Sequence, residues 1–185
     1  MTLSRDEAAA ALTEVEEAKS RGRAFRWYSS AAPGLIWWGV IWLVADLTVQ
    51  LAPSIPWIWP LASLIGAIGS LLSGPVFYRS YRRQYQAHGW KVTISFVFVM
   101  MFITSLFLVM GPMTGKQVHA FWGVFFGSVY AILGTWVGAR IAIVGVLLCA
   151  LSLVGYFWVD TYYLLFMGVV GGGAMILGGF WLLKV

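Results

Sequence analysis

The stretch LIWWGVIWLVADLTVQL, residues 35–51, is apolar except for one carboxylate, Asp46, and two uncharged polar side chains near its end. A run of this kind approaches the roughly twenty apolar residues that a helix needs to cross a bilayer core of about 30 Å. The whole chain of 185 residues is 61% hydrophobic and only 10% charged. A soluble domain has about a quarter of its residues charged. We therefore predict an all-α integral membrane protein.

Apolar segments of near-spanning length recur along the chain and predict a polytopic bundle with six transmembrane helices. They cover residues 32–51, 57–77, 92–111, 120–138, 141–159 and 162–183. A single helix over the fourth and fifth segments would be about twice the thickness of the core, so the chain must reverse, and Gly138-Ala139-Arg140 is the place for it. We expect one transmembrane domain, residues 31–185, after a leader at residues 1–30.

Basic residues indicate the orientation of these helices, because Lys and Arg accumulate on the cytoplasmic side of a membrane. With a cytoplasmic N-terminus, only Lys116 falls outside. The basic residues inside are then Arg5, Lys19, Arg21, Arg23, Arg26, Arg79, Arg82, Arg83, Lys91, Arg140 and Lys184. We predict a multi-pass protein with both termini cytoplasmic. The first 26 residues lack the features of a cleavable signal peptide, so we expect the first membrane helix to direct insertion.

The leader is predicted to be an amphipathic cytoplasmic helix. It begins with a possible capping box, Ser4-Arg5-Asp6-Glu7, and continues into an alanine-rich run with high helix propensity. Leu12 and Val15 lie on a narrow apolar stripe along it. Two interpretations stay open: a solvated segment that only fixes orientation, or a helix that docks on a partner.

Small residues at helical spacing predict where the membrane helices touch, because they let two backbones approach closely. The predicted packing glycines are Gly123, Gly127, Gly134, Gly138, Gly145, Gly168 and Gly172. The first four lie on the fourth segment and Gly145 on the fifth, so we expect those two segments to form a tight antiparallel hairpin. The alternative is that the small faces line a substrate path.

Asp46 is the sharpest candidate for a functional residue, because an ionisable group inside an apolar span is costly and is usually either used or hidden. Trp38, Trp42, Asp46 and Gln50 recur every four residues, so we expect Asp46 to face protein. Lys116, His119 and Asp160 are predicted at the same outer face. The group either forms an ion pair that closes this face or binds a cation or proton.

The inner loop YRSYRRQYQAHGWK, residues 78–91, combines basic and aromatic side chains that suit contact with lipid headgroups. The candidate lipid contacts are Arg79, Tyr81, Arg82, Arg83, Tyr85 and Lys91. Membrane topology alone would demand the same charges, and this second interpretation also stays open.

Enzyme chemistry finds no support in the motifs of this chain. There is one cysteine, no P-loop and no H-E-x-x-H, and the basic residues form no single amphipathic surface for nucleic acid. We expect no cofactor, no metal and no nucleic-acid partner. The expected partners are membrane lipid and either a second copy of the chain or another membrane protein.

Three stretches, EAAAALTEVEEA, APGLIWWGVIWLVADL and VVGGGAMILGGFWLLK, resemble segments of small uncharacterised bacterial inner-membrane proteins. The resemblance implies a bacterial cytoplasmic membrane and six helices. We hypothesise a non-enzymatic accessory or regulatory component that associates through glycine faces and the leader. The alternatives are a small transporter or channel with an outer Asp/His site, and a protein that binds lipid or another hydrophobic ligand.

Overall fold

A computed structural model describes residues 5–55 and 57–184, with the side chains of 5–10, 17, 20, 21, 23, 71 and 73–93 left out. All regular structure in these residues is helical. The helices are α1 (Arg5–Leu51), α2 (Ile58–Met110), α3 (Gly115–Val137), α4 (Ala139–Trp158), α5 (Tyr163–Phe166), a π-helical stretch (Met167–Gly172) and α6 (Gly173–Leu183). The last three form one continuous helix.

The helices are those of an integral membrane protein. Within the described residues, four segments are long and apolar enough to cross a bilayer: Ala24–Leu51, Gly115–Val137, Ala139–Trp158 and Tyr163–Leu183. Two shorter apolar segments of α2, Ile58–Ser70 and Ile94–Met110, lie in the predicted second and third spans. The count of six spans stays a prediction.

The predicted leader and the predicted first span belong to one helix, α1, with Pro33 inside it. The backbone stays helical through Ser29-Ser30 and Pro33-Gly34 at the junction of the two units. A proline within a helix removes one backbone hydrogen bond and favours a bend rather than a complete break. The capping box predicted at Ser4 begins outside the described residues.

The helix α2 is 53 residues long, and its two ends return to the same end of the bundle. The ring of Trp59 lies 5.0 Å from that of His119, and the ring of Phe107 lies 5.1 Å from that of Phe121. In a straight helix, residues 59 and 107 would be about 70 Å apart. Their contacts on α3 are two residues apart, so α2 bends back on itself between these positions.

The helices α3 and α4 form a close antiparallel hairpin around their glycines. A Cβ on Gly127 would lie 2.8 Å from the carbonyl oxygen of Gly145, and a Cβ on Gly134 would collide with the backbone of Ala142. The chain reverses at Gly138, whose φ of 148° is rarely adopted by residues with a side chain. This is the reversal that the sequence places at residues 138–140.

The last helix packs against α1 through glycines on both sides. A Cβ on Gly172 would lie 2.8 Å from the carbonyl oxygen of Gly39, and a Cβ on Gly168 would lie 2.9 Å from Cβ of Asp46. Gly123 faces Ser152, and Gly138 faces Tyr28. The seven predicted packing glycines therefore contact other helices of the same chain, and these contact faces are not available to a partner.

The bundle has two ends, which we name after one residue of each. The Asp46 end contains Asp46, Trp59, Lys116, His119, Asp160 and Tyr163. The Arg140 end contains Tyr28, Gly138, Arg140, Trp181 and Lys184. Because α1 and α6 run antiparallel, the part of α1 that leads into its span lies at the same end as the last residues of α6.

Candidate functional site

Asp46 is completely buried, one and a half turns before the end of α1. Trp42, on the same face one turn earlier, is 4% exposed, so this face points into the protein as its four-residue spacing requires. One turn later, Gln50 donates from Nε2 to the carbonyl oxygen of Thr161 at 3.5 Å. The sequence pattern thus predicts the direction in which the carboxylate points.

The first turns of α3 bring a histidine to that carboxylate. Thr114 and Gln117 form a capping box that fixes the start of the helix. His119 then lies inside the bundle, with its Nε2 3.1 Å from Oδ2 of Asp46. The geometry satisfies the distance for an ion pair but not the alignment for a hydrogen bond between the described atoms. The contact is therefore an electrostatic one that a small shift can tighten.

Three aromatic rings surround the imidazole of His119. The ring centroids of Trp59, Trp42 and Tyr163 lie 5.0, 5.2 and 5.8 Å from it. They come from α2, α1 and α5, so the pair lies where four helices meet. The faces of aromatic rings carry negative potential, and a cation within about 6 Å of a ring is attracted to it. The imidazole is thus enclosed by aromatic rings from three helices.

Five buried polar atoms of this cluster have no hydrogen-bond partner among the described residues. They are both carboxylate oxygens of Asp46, Nε2 of His119, Nε1 of Trp59 and the hydroxyl oxygen of Tyr163. More than nine-tenths of buried polar groups in proteins are paired, and groups that are not paired usually mark a special role. Two carboxylate oxygens, which accept hydrogen bonds, and three nitrogen or hydroxyl groups, which can donate them, thus lie close together inside the bundle.

A second ion pair lies between this cluster and the surface. Nζ of Lys116 is 3.2 Å from Oδ1 of Asp160, and it lies 5.6 Å from the ring centroids of Tyr156 and Tyr163. The exposed fraction falls from 98% at the side chain of Asp160 and 28% at Lys116 to 9% at His119 and zero at Asp46. Ionisable groups therefore lead from the surface of the Asp46 end to the buried carboxylate.

The π-helical stretch, Met167–Gly172, lies directly against Asp46. Gly168 contacts Cβ of Asp46 and the backbone of Leu43, and Met167 is completely buried beside it. A π-helix has a wider turn and poorer hydrogen bonding than an α-helix, and such stretches occur frequently at functional sites. Its position makes the backbone around the carboxylate the least regular part of the last helix.

The four predicted residues of the outer-face site thus form two pairs, Asp46 with His119 and Lys116 with Asp160. Sequence reasoning missed Trp59 and Tyr163. The side chains of the predicted lipid contacts, Arg79, Tyr81, Arg82, Arg83, Tyr85 and Lys91, lie outside those described. Among the side chains that the structure describes, no group of three His, Cys, Asp or Glu is arranged to hold a metal ion.

No protein-family model, curated protein or solved structure matches this chain. The site therefore has to be interpreted from its own geometry. That geometry is a carboxylate and an imidazole, buried together and reached from one end of the bundle. A carboxylate beside an imidazole can exchange a proton, and it can also join α1 to α3 electrostatically.

Proposed function

We propose that this protein is a non-enzymatic, proton-responsive component of the membrane, with an accessory or regulatory role. The Asp46–His119 pair is its proton-binding site. The observation that carries the proposal is the complete burial of Asp46, 3.1 Å from His119, behind a series of progressively more exposed ionisable groups. Histidine is the side chain best suited to change its charge within the physiological pH range.

Burial makes the position of α1 relative to α3 sensitive to one proton. With one proton between them, the carboxylate and the imidazole carry no net charge, whichever of the two holds it. Adding or removing a proton leaves a net charge in apolar surroundings, which costs several kcal/mol unless the groups separate or admit water. Since Asp46 is on α1 and His119 is on α3, this cost acts directly on the contact between these helices.

A single helix connects this site with the opposite side of the bundle. From Asp46, α1 continues through the bend expected at Pro33 to the leader, where Leu12 and Val15 are exposed. A change in the tilt of α1 at the Asp46 end therefore moves the leader. In this proposal the leader docks on a protein partner, and the state of the pair decides how the leader is presented.

The topology that we propose has six crossings in a bacterial inner membrane, with both termini cytoplasmic. Support comes from α2, whose two apolar arms both reach α3 near the Asp46 end. An arm that leaves this end and an arm that returns to it add two crossings to the four complete spans. The Arg140 end is then cytoplasmic, in agreement with the positive-inside rule.

A second candidate function is that of a small transporter or channel with its ion site at Asp46. The π-helical stretch beside the carboxylate favours it, because a wide turn provides backbone carbonyls that are weakly held. In proteoliposomes, a transporter would show substrate or proton flux that Asp46→Asn abolishes. The regulatory proposal expects the same slow leak from both proteins.

Histidine-selective NMR tests the proton site, because the chain has only two histidines, His88 and His119. In nanodiscs of the His88→Gln variant, all ring nitrogen signals come from His119. We expect their pH dependence to change when Asp46→Asn is added, because the imidazole then loses the carboxylate that lies 3.1 Å from its Nε2. Identical titrations with and without the Asp46 carboxylate would contradict the proposal.

A distance measurement tests the regulatory part. Spin labels at Val15→Cys in the leader and Trp136→Cys at the exposed end of α3, in a Cys149→Ser background, span the proposed movement. We expect the distance distribution to change between acidic and neutral pH in this protein and to stay fixed in the matched Asp46→Asn variant. If the leader moves equally in both proteins, its motion does not depend on the Asp46–His119 pair, and the proposed coupling is refuted.

A further inference from the structure

An apolar groove runs between α4 and α6, away from the Asp46 cluster. It has a volume of about 300 Å³. Its lining consists of Val144, Leu147, Leu148, Ala174, Met175, Leu177, Gly178 and Trp181. Leu148 and Met175 are buried and form the floor, whereas Leu177 is 70% exposed and forms part of the rim. The small residues Ala174 and Gly178 keep the groove open, because larger side chains on this face of α6 would fill it.

A cation lies at one mouth of this groove. Arg140 is one helical turn before Val144, and its guanidinium lies 5.3 Å from the ring centroid of Trp181, which lines the groove. One of its nitrogens, Nη1, donates to the carbonyl oxygens of Trp181 and Lys184 at 3.0 and 3.2 Å. In the described part of the chain no carboxylate forms an ion pair with Arg140, and its side chain remains partly exposed.

The groove also has the depth of one membrane leaflet. Along α4, Val144 lies about 6 Å and Leu148 about 12 Å from Arg140. Half of a hydrocarbon core measures about 15 Å. With Arg140 at the headgroup level, the groove therefore extends through most of one leaflet and ends near its middle.

We propose that this groove binds an anionic phospholipid. One acyl chain lies between α4 and α6, and the phosphate is held by the free nitrogens of Arg140, with Lys184 close by. Charge complementarity favours this occupant over a second helix, because the mouth offers a guanidinium that has no carboxylate partner among the described residues, and an apolar helix would supply no anion to it. Basic pockets between transmembrane helices are known sites for anionic headgroups. The inference is independent of the proton site, which lies at the other end of the bundle.

Lipid binding can be measured by native mass spectrometry of the full chain released from mild detergent. The probes are phosphatidylglycerol and phosphatidylcholine with identical acyl chains. We expect phosphatidylglycerol to be retained as a single tightly bound molecule, and phosphatidylcholine to be retained about tenfold less, because its choline ammonium cancels the net charge of the headgroup and is repelled by the guanidinium of Arg140. Inorganic phosphate at millimolar concentration should not displace the lipid, since it has no acyl chain for the groove.

Two variants address the two halves of the site separately. Ala174→Phe fills the groove and leaves Arg140 in place, and its matched control is Ala150→Phe on an exposed part of α4 outside the lining. We expect retention to fall about tenfold in Ala174→Phe and to stay unchanged in Ala150→Phe. Arg140→Gln should remove the preference for the anionic lipid.

Three results would overturn the proposal. Equal retention of the two lipids by the unmodified protein contradicts a role for charge. Unchanged retention in Ala174→Phe, in a protein whose circular dichroism shows an intact helix content, contradicts the groove. Displacement of the lipid by inorganic phosphate alone would show that the guanidinium of Arg140 binds a soluble anion and not a lipid headgroup.

Discussion

Asp46 and Arg140, at the two ends of the bundle, have opposite environments, buried for the carboxylate and partly exposed for the guanidinium. At the Asp46 end, a carboxylate and an imidazole are completely or almost completely buried, and their polar atoms lack aligned partners among the described residues. At the Arg140 end, a guanidinium remains partly exposed and donates to two backbone carbonyls of the last helix. The first arrangement is expensive and sensitive to a proton, and the second is inexpensive and permanently charged.

This difference indicates which end can switch. The Arg140 end offers a guanidinium, a side chain that is always charged in proteins, and in the lipid-binding proposal it anchors a headgroup. In the proposed function, the Asp46 end changes its net charge with a single proton. In the proposed mechanism, α1 is therefore fixed where it passes Gly138 and movable where it carries Asp46.

The largest expected effect comes from removing one partner of the buried pair. His119→Ala leaves a carboxylate without its counter-charge and should lower the free energy of unfolding by about 3–5 kcal/mol. Thermal unfolding in mild detergent, followed by circular dichroism, measures the loss. The control is the double variant Asp46→Val with His119→Phe, which replaces the pair by apolar groups and should recover most of the stability. A double variant as unstable as the single one would show that packing, rather than charge, holds this end together.

A smaller effect is expected at the other end. Arg140→Gln removes the donor to the carbonyls of Trp181 and Lys184, and because the site is partly exposed, the cost should be about 1–2 kcal/mol. The same unfolding experiment applies, with Arg140→Lys as the control that keeps the charge. A loss as large as that of His119→Ala would remove the contrast between the two ends.

The smallest effect should come from the exposed pair at the Asp46 end. Lys116→Gln breaks the contact with Asp160, whose side chain is 98% exposed, so the expected change is below about 1 kcal/mol. This variant tests whether burial, and not the mere presence of an ion pair, makes the Asp46 end sensitive. If unfolding responds as strongly to Lys116→Gln as to His119→Ala, burial is not the deciding variable.

Much of the site could be predicted from local spacing, and its partners could not. The four-residue repeat of Trp38, Trp42 and Asp46 indicates that the carboxylate faces protein, since residues one turn apart share a face of a helix. The choice between Lys116 and His119 depends on the rotation of α3 about its axis, which spacing along α1 does not contain. Trp59 and Tyr163 enter through long-range packing, and no sequence pattern singles them out among 11 tryptophans and 8 tyrosines.

The helix boundaries, too, could be predicted only in part from the sequence. Hydropathy separates residues 57–77 from 92–111, yet the structure has continuous helix from Ile58 to Met110. The polar segment between the two contains three Arg and two Gln, which favour helix, so propensity carries the backbone through a region that hydropathy treats as a loop. The same competition joins the leader to the first span across Pro33. Apolarity identifies what lies in the membrane, and backbone propensity decides where a helix ends.

The bonds made by Arg140 also set an order for biosynthesis. The two carbonyls that accept them belong to residues made 41 and 44 positions later, so the guanidinium enters the membrane boundary before its acceptors exist. Until the last helix has been made, that cation lacks both of these acceptors. The docking of α6 is thus the step that supplies the acceptors of Arg140 and completes the Arg140 end.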